Sequence, residues 1–236
     1  MPTFAELKTR VAGYLIDNPN FTTSLVGAWI NKAMDDAEGR HNYRHMKRVL
    51  QATTVAEQRK LADLPDDWKA VREAPYYLRD DGSTREMAWA ASQHMMRRQF
   101  DEGDATDQGD PRFLLIHDED ETGGELLVYP YPDGGSDHPD AEYRIHVPYW
   151  AYTAPLVDNN DTNWWTDNWH WYLTFYAAAE GFLANRDTQE ATIYIERAEG
   201  ERTKSVRRSK QQQTKPVRQL VPRQGVYGNG RQPPGR

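Results

Sequence analysis

No cysteine occurs among the 236 residues. That excludes disulfides, thiolate metal sites and a cysteine nucleophile, and it fits a reducing compartment. No apolar run approaches the roughly 18–20 residues that span a bilayer. The first 20 residues, with Glu6, Lys8, Arg10 and Asp17, lack the apolar block of a secretory signal, so neither secretion by that route nor membrane insertion is expected. The patterns G-x-x-x-x-G-K-[ST], G-x-G-x-x-G, H-E-x-x-H and G-x-S-x-G are also missing, which removes the common sequence signatures of phosphate-loop, dinucleotide, zinc-protease and serine-hydrolase chemistry. Apolar residues are few, 38% against 28% charged. So polar a chain leaves either a segment outside the core or much of its surface wet.

Aromatic side chains are plentiful, with 8 Trp and 13 Tyr. These residues bury a ring and keep a polar tip available, as interfaces require. Charge is unevenly spread. The net charge is −7, yet Glu201–Arg236 holds ten Lys/Arg and one acid, a net of +9. The first 200 residues hold 19 Lys/Arg and 35 Asp/Glu, a net of −16. An acidic body therefore carries a basic tail, and this asymmetry bears on partners.

The periodicity predicts helices at both ends of the chain. Thr3-Phe4-Ala5-Glu6 forms a capping-box pattern ahead of Phe4, Leu7, Val11 and Leu15, predicting a helix over about 4–16 that ends at Asp17-Asn18-Pro19-Asn20. A second helix is expected from Thr23 to Gly39, with Gly39 as its C-terminal cap. From His45 the period shortens. Met46–Thr54, Arg59–Leu64, Ala70–Leu78 and Arg85–Ala90 read as strands, with a turn at Asp80–Ser83. Ser92 caps a short helix through Arg98, and the acidic stretch 101–110 reads as a loop. Arg112–Ile116 and Glu125–Tyr131 form a hairpin around Gly123-Gly124. Pro132–Pro139 is a further loop, and Ala141–Tyr152 is a last strand that Pro148 places at an edge. Thr166 or Asp167 starts a third helix, 167–184, apolar nearly all round and so buried on several sides. Asp187 opens a fourth helix that continues to about Gln211.

The fold expected is α+β: a four-helix core from both chain ends, an antiparallel β-rich insertion and an extended C-terminal tail. The boundaries are 1–45 with 160–208 for the helical bundle, 46–159 for the β-rich insertion and 209–236 for the tail. A separate β domain is the alternative arrangement.

Little in the chain suggests chemistry. His41 and His45 are four apart but have no evident third ligand. The stretches beginning at Asp118 and Asp104 place Gly123 and Gly109 at the sixth position of a calcium loop, but the twelfth is Tyr129 or Leu115 instead of an acid. No metal, cofactor or catalytic residue is assigned. A carbohydrate-acting enzyme built on paired carboxylates is one alternative function. A DNA-binding accessory protein acting through the basic tail is another. The tail is punctuated by Val217, Leu220, Val221, Val226 and Tyr227. That spacing of apolar anchors suits docking on a protein surface.

Phe4-Ala5-Glu6-Leu7-Lys8-Thr9-Arg10-Val11-Ala12-Gly13-Tyr14-Leu15 followed by Val26–Ala33 resembles the start of head–tail adaptor proteins of tailed bacteriophages. So does Leu64-Pro65-Asp66-Asp67-Trp68, which stands where such proteins carry a Leu-Pro-x-Asp-Phe-like turn. Asp161–Asp167, with its Thr-Asn-Trp turn, leads into Tyr172–Glu180 and the acidic cap Asp187 in the same order. The resemblance spans most of residues 3–205; the acidic loop at 101–110 and the chain beyond Arg208 have no counterpart in it. It implies a virion protein that forms a ring, usually of twelve copies, between the portal and the tail or nozzle. Such a ring extends the DNA channel and presents a docking surface for the tail. Duplex would pass through an acidic lumen without specific binding. The basic tail would grip the portal through Arg207, Arg208, Lys210, Lys215, Arg218, Leu220, Val221, Arg223 and Tyr227. Trp164, Trp165, Trp169, Tyr172 and Tyr176 would make subunit or core contacts.

Overall fold

Helices start where a side-chain oxygen can take the free amides of the first turn. In a computed structural model, which describes residues 1–15, 21–55, 58–78, 83–100, 108–117, 124–132 and 143–213, Thr3 and Glu6 form the expected capping box ahead of α1 (Phe4–Tyr14). Thr22 caps α2 (Thr23–Arg40). The expected stop at 17–20 lies outside the described residues. Gly39 is not the cap of α2: the helix runs on to Arg40, whose guanidinium pairs with Asp36 one turn back and with Glu199 across the body, and it ends on extended backbone at His41.

Among the described residues the chain then forms a 3-10 turn (Arg44–Met46) and eleven short strands: β1 (Lys47–Thr53), β2 (Lys60–Asp63), β3 (Trp68–Val71), β4 (Tyr76–Leu78), β5 (Thr84–Glu86), β6 (Ala88–Trp89), β7 (Gln108–Gly109), β8 (Phe113–His117), β9 (Glu125–Tyr129), β10 (Tyr131–Pro132) and β11 (Arg144–Ala151). Helix α3 (Gln93–Gln99), capped by Ser92, interrupts them. One sheet has the order β1-β11-β4-β5, with β3 also on β11. A second has the order β2-β9-β8-β6, and β10 pairs with β7. Pairing is antiparallel except for β6–β8 and β7–β10. The expected hairpin is β8–β9; its loop, 118–123, lies outside the described residues. The expected loop at 101–110 contributes β7 from its last residues.

Period-2 alternation explains the layering. Leu114, Leu126 and Val128 face the first sheet, where they meet Tyr77, Tyr143, Ile145 and Val147. Their neighbours Leu115, Leu127 and Tyr129 face away and pack under Met96 and Phe100 at α3. Covered on both faces, β8 and β9 read as continuous apolar runs.

Pro148 does not mark an edge. It lies in β11, which has β1 on one side and β3 and β4 on the other. In an antiparallel ladder a residue's nitrogen and carbonyl face the same neighbour. The Pro148 carbonyl accepts from Arg72 N at 3.2 Å, so its nitrogen also faces the link between β3 and β4, where no ladder donor is required.

Helix re-forms earlier than expected. Asn163, and not Thr166 or Asp167, caps α4 (Trp164–Asn168), its Oδ1 accepting from Trp165 N and Thr166 N. A break at Trp169 separates α4 from α5 (His170–Ala184). Arg186, at φ 62, makes the turn into α6 (Thr188–Gln213), where Asp187 Oδ1 caps Glu190 N. Helices α1, α2, α5 and α6 pack together as the four-helix core. The inner face of α6 is small: Ala191, Ala198, Ser205 and Ser209, with Tyr194 between. It lies against Ala178 and Ala179 of α5.

Candidate functional site: a buried carboxylate node and a cationic groove

Val26, Ile30 and Met34 lie one helical turn apart on the buried face of α2, and the next position of that stripe is Glu38, 1% exposed. A carboxylate there is costly unless donors surround it. Four do. Trp165 Nε1 and Thr153 Oγ1 each donate to Glu38 Oε1 at 2.5 Å, Thr153 N donates to Oε2 at 2.8 Å, and His45 Nε2 lies 3.3 Å from Oε1. Burial pushes the carboxyl up, but these hydrogen bonds, led by His45, outweigh it and hold the group below its ordinary value. The backbone carbonyl of Glu38 accepts from Lys69 Nζ, which also reaches Asn42 Oδ1 at 2.7 Å. Burial lowers the pKa of that lysine.

The node joins α2, the 3-10 turn, β3, α4 and the segment that follows β11. Further bonds hold that segment. Asn31 and the Leu156 backbone exchange two hydrogen bonds of 3.0 Å. The amides of Phe4 and Ala5, unsatisfied within α1, donate to the carbonyls of Asp161 and Asn159. The Leu64–Trp68 turn locks the other side: Asp67 accepts from the Tyr149 hydroxyl and the Tyr152 amide, and Trp68 stacks on Tyr149 at 4.9 Å. Burial, reinforced by Asp67, pushes Tyr149 up to about 12.

Trp165 and Tyr172 are fully buried in the helical core, while Trp164, Trp169 and Tyr176 are half-buried against it. His45 stacks on Trp164 at 3.9 Å. The tryptophan of this body that is most open is Trp171, 43% exposed, with Arg10 over its ring. His41 and His45 diverge: His41 packs edge-on against Tyr43 and His45 joins the node.

Of the residues expected to reach the portal, Arg207, Arg208 and Lys210 are exposed on α6. Lys215, Arg218, Leu220, Val221, Arg223 and Tyr227 lie outside the described residues. Helix α6 takes in residues 209–213, so the start expected for the extended tail is helical, and Ser209 is only 5% exposed. Where α6 passes the 3-10 turn and α4, a groove of about 370 Å³ opens between Arg44, Arg208, Ser209, Trp164 and Trp169.

The arrangement saturates its one buried carboxylate and offers a cationic, aromatic-walled recess beside it. That is equipment for holding surfaces together. Residues 2–220 match the family model described as SU10 adaptor protein. The chain belongs to the SU10 adaptor protein family. It is therefore a phage adaptor, structural in role and not catalytic. No curated protein matches the chain. The matched span encloses the acidic loop at 101–110 and runs past Arg208 to residue 220, leaving residues 221–236 outside it. Among the described residues no helix is long and apolar enough to cross a membrane.

Sequence reasoning missed Glu38, Thr153, Asn31 and Lys69 of this adaptor, and weighed His45 only as half of a metal pair. Glu38 had a readable signal, an acid continuing an apolar i, i+4 stripe. The others had none, because their partners lie 7 to 125 residues away.

Proposed function

We propose that this adaptor forms a ring, of twelve copies, between the portal and the tail or nozzle, and that it is a component of the virion at the head–tail junction. The ring extends the DNA channel and supplies the docking surface for the tail. The observation that carries this reading is the family match over residues 2–220. The charge split supports it. A body of net −16 repels the phosphate backbone, so duplex slides through without being bound, while the +9 segment clasps a neighbouring protein. Arg207, Arg208, Lys210, Lys215, Arg218 and Arg223 supply the charge, and Leu220, Val221 and Tyr227 the apolar anchors. Ring closure requires one patch to meet a different patch on the next copy. Many weak contacts then hold the ring firmly.

The test is truncation after Gln213, which spares the buried Ser209. Portal capture by the truncated and full-length proteins is compared, with circular dichroism to check the body. Loss of capture with a folded body is expected; undiminished capture defeats the portal-grip reading. Because the chain has no cysteine, a Tyr227→Cys variant carries one unique crosslinking handle. Symmetry averaging of the assembled particle measures the copy number, and a lumen lined by Lys and Arg contradicts the sliding reading. Tight duplex binding that collapses steeply with salt would favour the DNA-binding accessory function instead.

A further inference from the structure

The groove at the end of α6 holds more donors than partners. Arg44 and Arg208 are exposed and form no ion pair among the described residues. Ser209 lines the same groove and is 5% exposed, and its Oγ is buried without a hydrogen-bond partner. A buried hydroxyl left unpaired is unfavourable, and native proteins retain few of them. His45, at the groove wall, is anchored through Nε2 to Glu38 and Thr153, while its Nδ1 is buried and unpartnered. Trp164 and Trp169 close the side. Among the described residues no acidic side chain lines the groove.

This combination points to one ligand chemistry. Two guanidiniums and a hydroxyl present donors, and the planar fork of arginine matches a carboxylate. A volume of about 370 Å³ admits one or two side chains but not a helix or a duplex. A stripe of cations tracking successive phosphates is what a duplex would need, and the acidic body opposes its approach.

We propose that this groove is a receptor for an acidic side chain of a partner protein, its carboxylate seated between Arg44 and Arg208, with Ser209 Oγ donating to it and the two indoles packing against its stem. This goes beyond the adaptor reading, which uses Arg208 with the rest of the basic segment and gives Arg44, Ser209 and the groove no role. It places a second cationic recognition point on the acidic body.

The full-length protein is titrated into a rhodamine-labelled pentaglutamate peptide with capped ends, and anisotropy is followed. Pentaglutamine is the control; inorganic phosphate and a short duplex are competitors. Saturable binding of pentaglutamate alone is expected. It should weaken roughly tenfold in the Arg44→Ala, Arg208→Ala double variant and about threefold in Ser209→Ala, with the thermal midpoint unchanged in the first and not lowered in the second. The Arg44→Glu, Arg208→Glu double variant should reject pentaglutamate and bind pentalysine. The proposal is overturned by equal binding of pentaglutamine, by no binding up to roughly 10 mM peptide, or by an affinity unchanged in the alanine pair. Displacement by duplex at lower concentration than by peptide assigns the groove to phosphate and also overturns it. Any of these failures leaves portal attachment through the basic segment untouched.

Discussion

In the helical body a carboxylate 1% exposed sits on the helix face of Ile30, Met34 and Ala37, whereas among the described residues no charged side chain is buried between the two sheets, where the Arg85–Asp110 pair that bonds the Tyr77 and Tyr143 hydroxyls stays part-exposed. The two regions reach comparable burial by different routes. The β-rich region closes largely through apolar faces and tolerates any partner of suitable volume. The helical body also carries a charge that is stable only when Trp165, Thr153 and His45 stand around it. A buried polar group of this kind makes misassembled alternatives costly, and here it ties the two chain ends to the segment leaving the last strand.

The sharpest way to break this comparison is Glu38→Ala. It strands the Trp165 Nε1, the Thr153 amide and hydroxyl, and His45, and should cost about 3–5 kcal/mol in urea unfolding. A loss below about 1 kcal/mol would mean that the node adds nothing. Leu126→Ala, at 0% exposure between the sheets, should cost about 2–4 kcal/mol through the cavity it leaves, and that loss should not vary with pH.

Acidification separates the regions further. Glu38 titrates below its ordinary value of 4.5 in the fold, so its contribution is complete above that value and is lost as pH falls through the depressed one. His41 and His170 are also held below their ordinary 6.5, chiefly by burial, so the unfolded chain takes up their protons first and stability begins to fall from about there. In Glu38→Gln the decline that starts near 6.5 should persist while the steeper one below 4.5 flattens; an unaltered acid limb in denaturation midpoints would remove the node from the account. The smallest effect expected is a gain. Arg186 occupies a left-handed backbone position, φ 62, at the α5–α6 turn. Arg186→Gly should raise stability by about 0.5–1 kcal/mol, read from the thermal midpoint.

Much of the fold was legible because local rules and tertiary demands agree. The Thr3–Glu6 box, the Ser92 cap, the β8–β9 alternation and the apolar stripe of α2 each state their own conformation. The misreadings have particular causes. Gly39 signals a helix stop, but Arg40 pairs with Glu199 on α6 and with Asp36 one turn back by staying helical. Pro148 signals an edge, yet its missing amide faces the gap between two strands that share one side of β11. Thr166 signals a cap, but it is the reciprocal member of the box begun by Asn163. The groove beside Arg44 could not be read at all, since its walls come from positions 44, 164 and 208.

Composition, periodicity and capping alone determined that the chain is helical at both ends and β-rich between, and that an acidic body precedes a basic segment. These follow from side-chain size, backbone preference and charge, which act over a few residues. Only the tertiary structure decided that Glu38 would be an enclosed anion, that Pro148 would sit inside a sheet and that Arg44 would share a groove with Arg208. Each depends on which distant groups share a dielectric and a hydrogen-bond geometry, and those are properties of assembled space that no local stretch of chain contains.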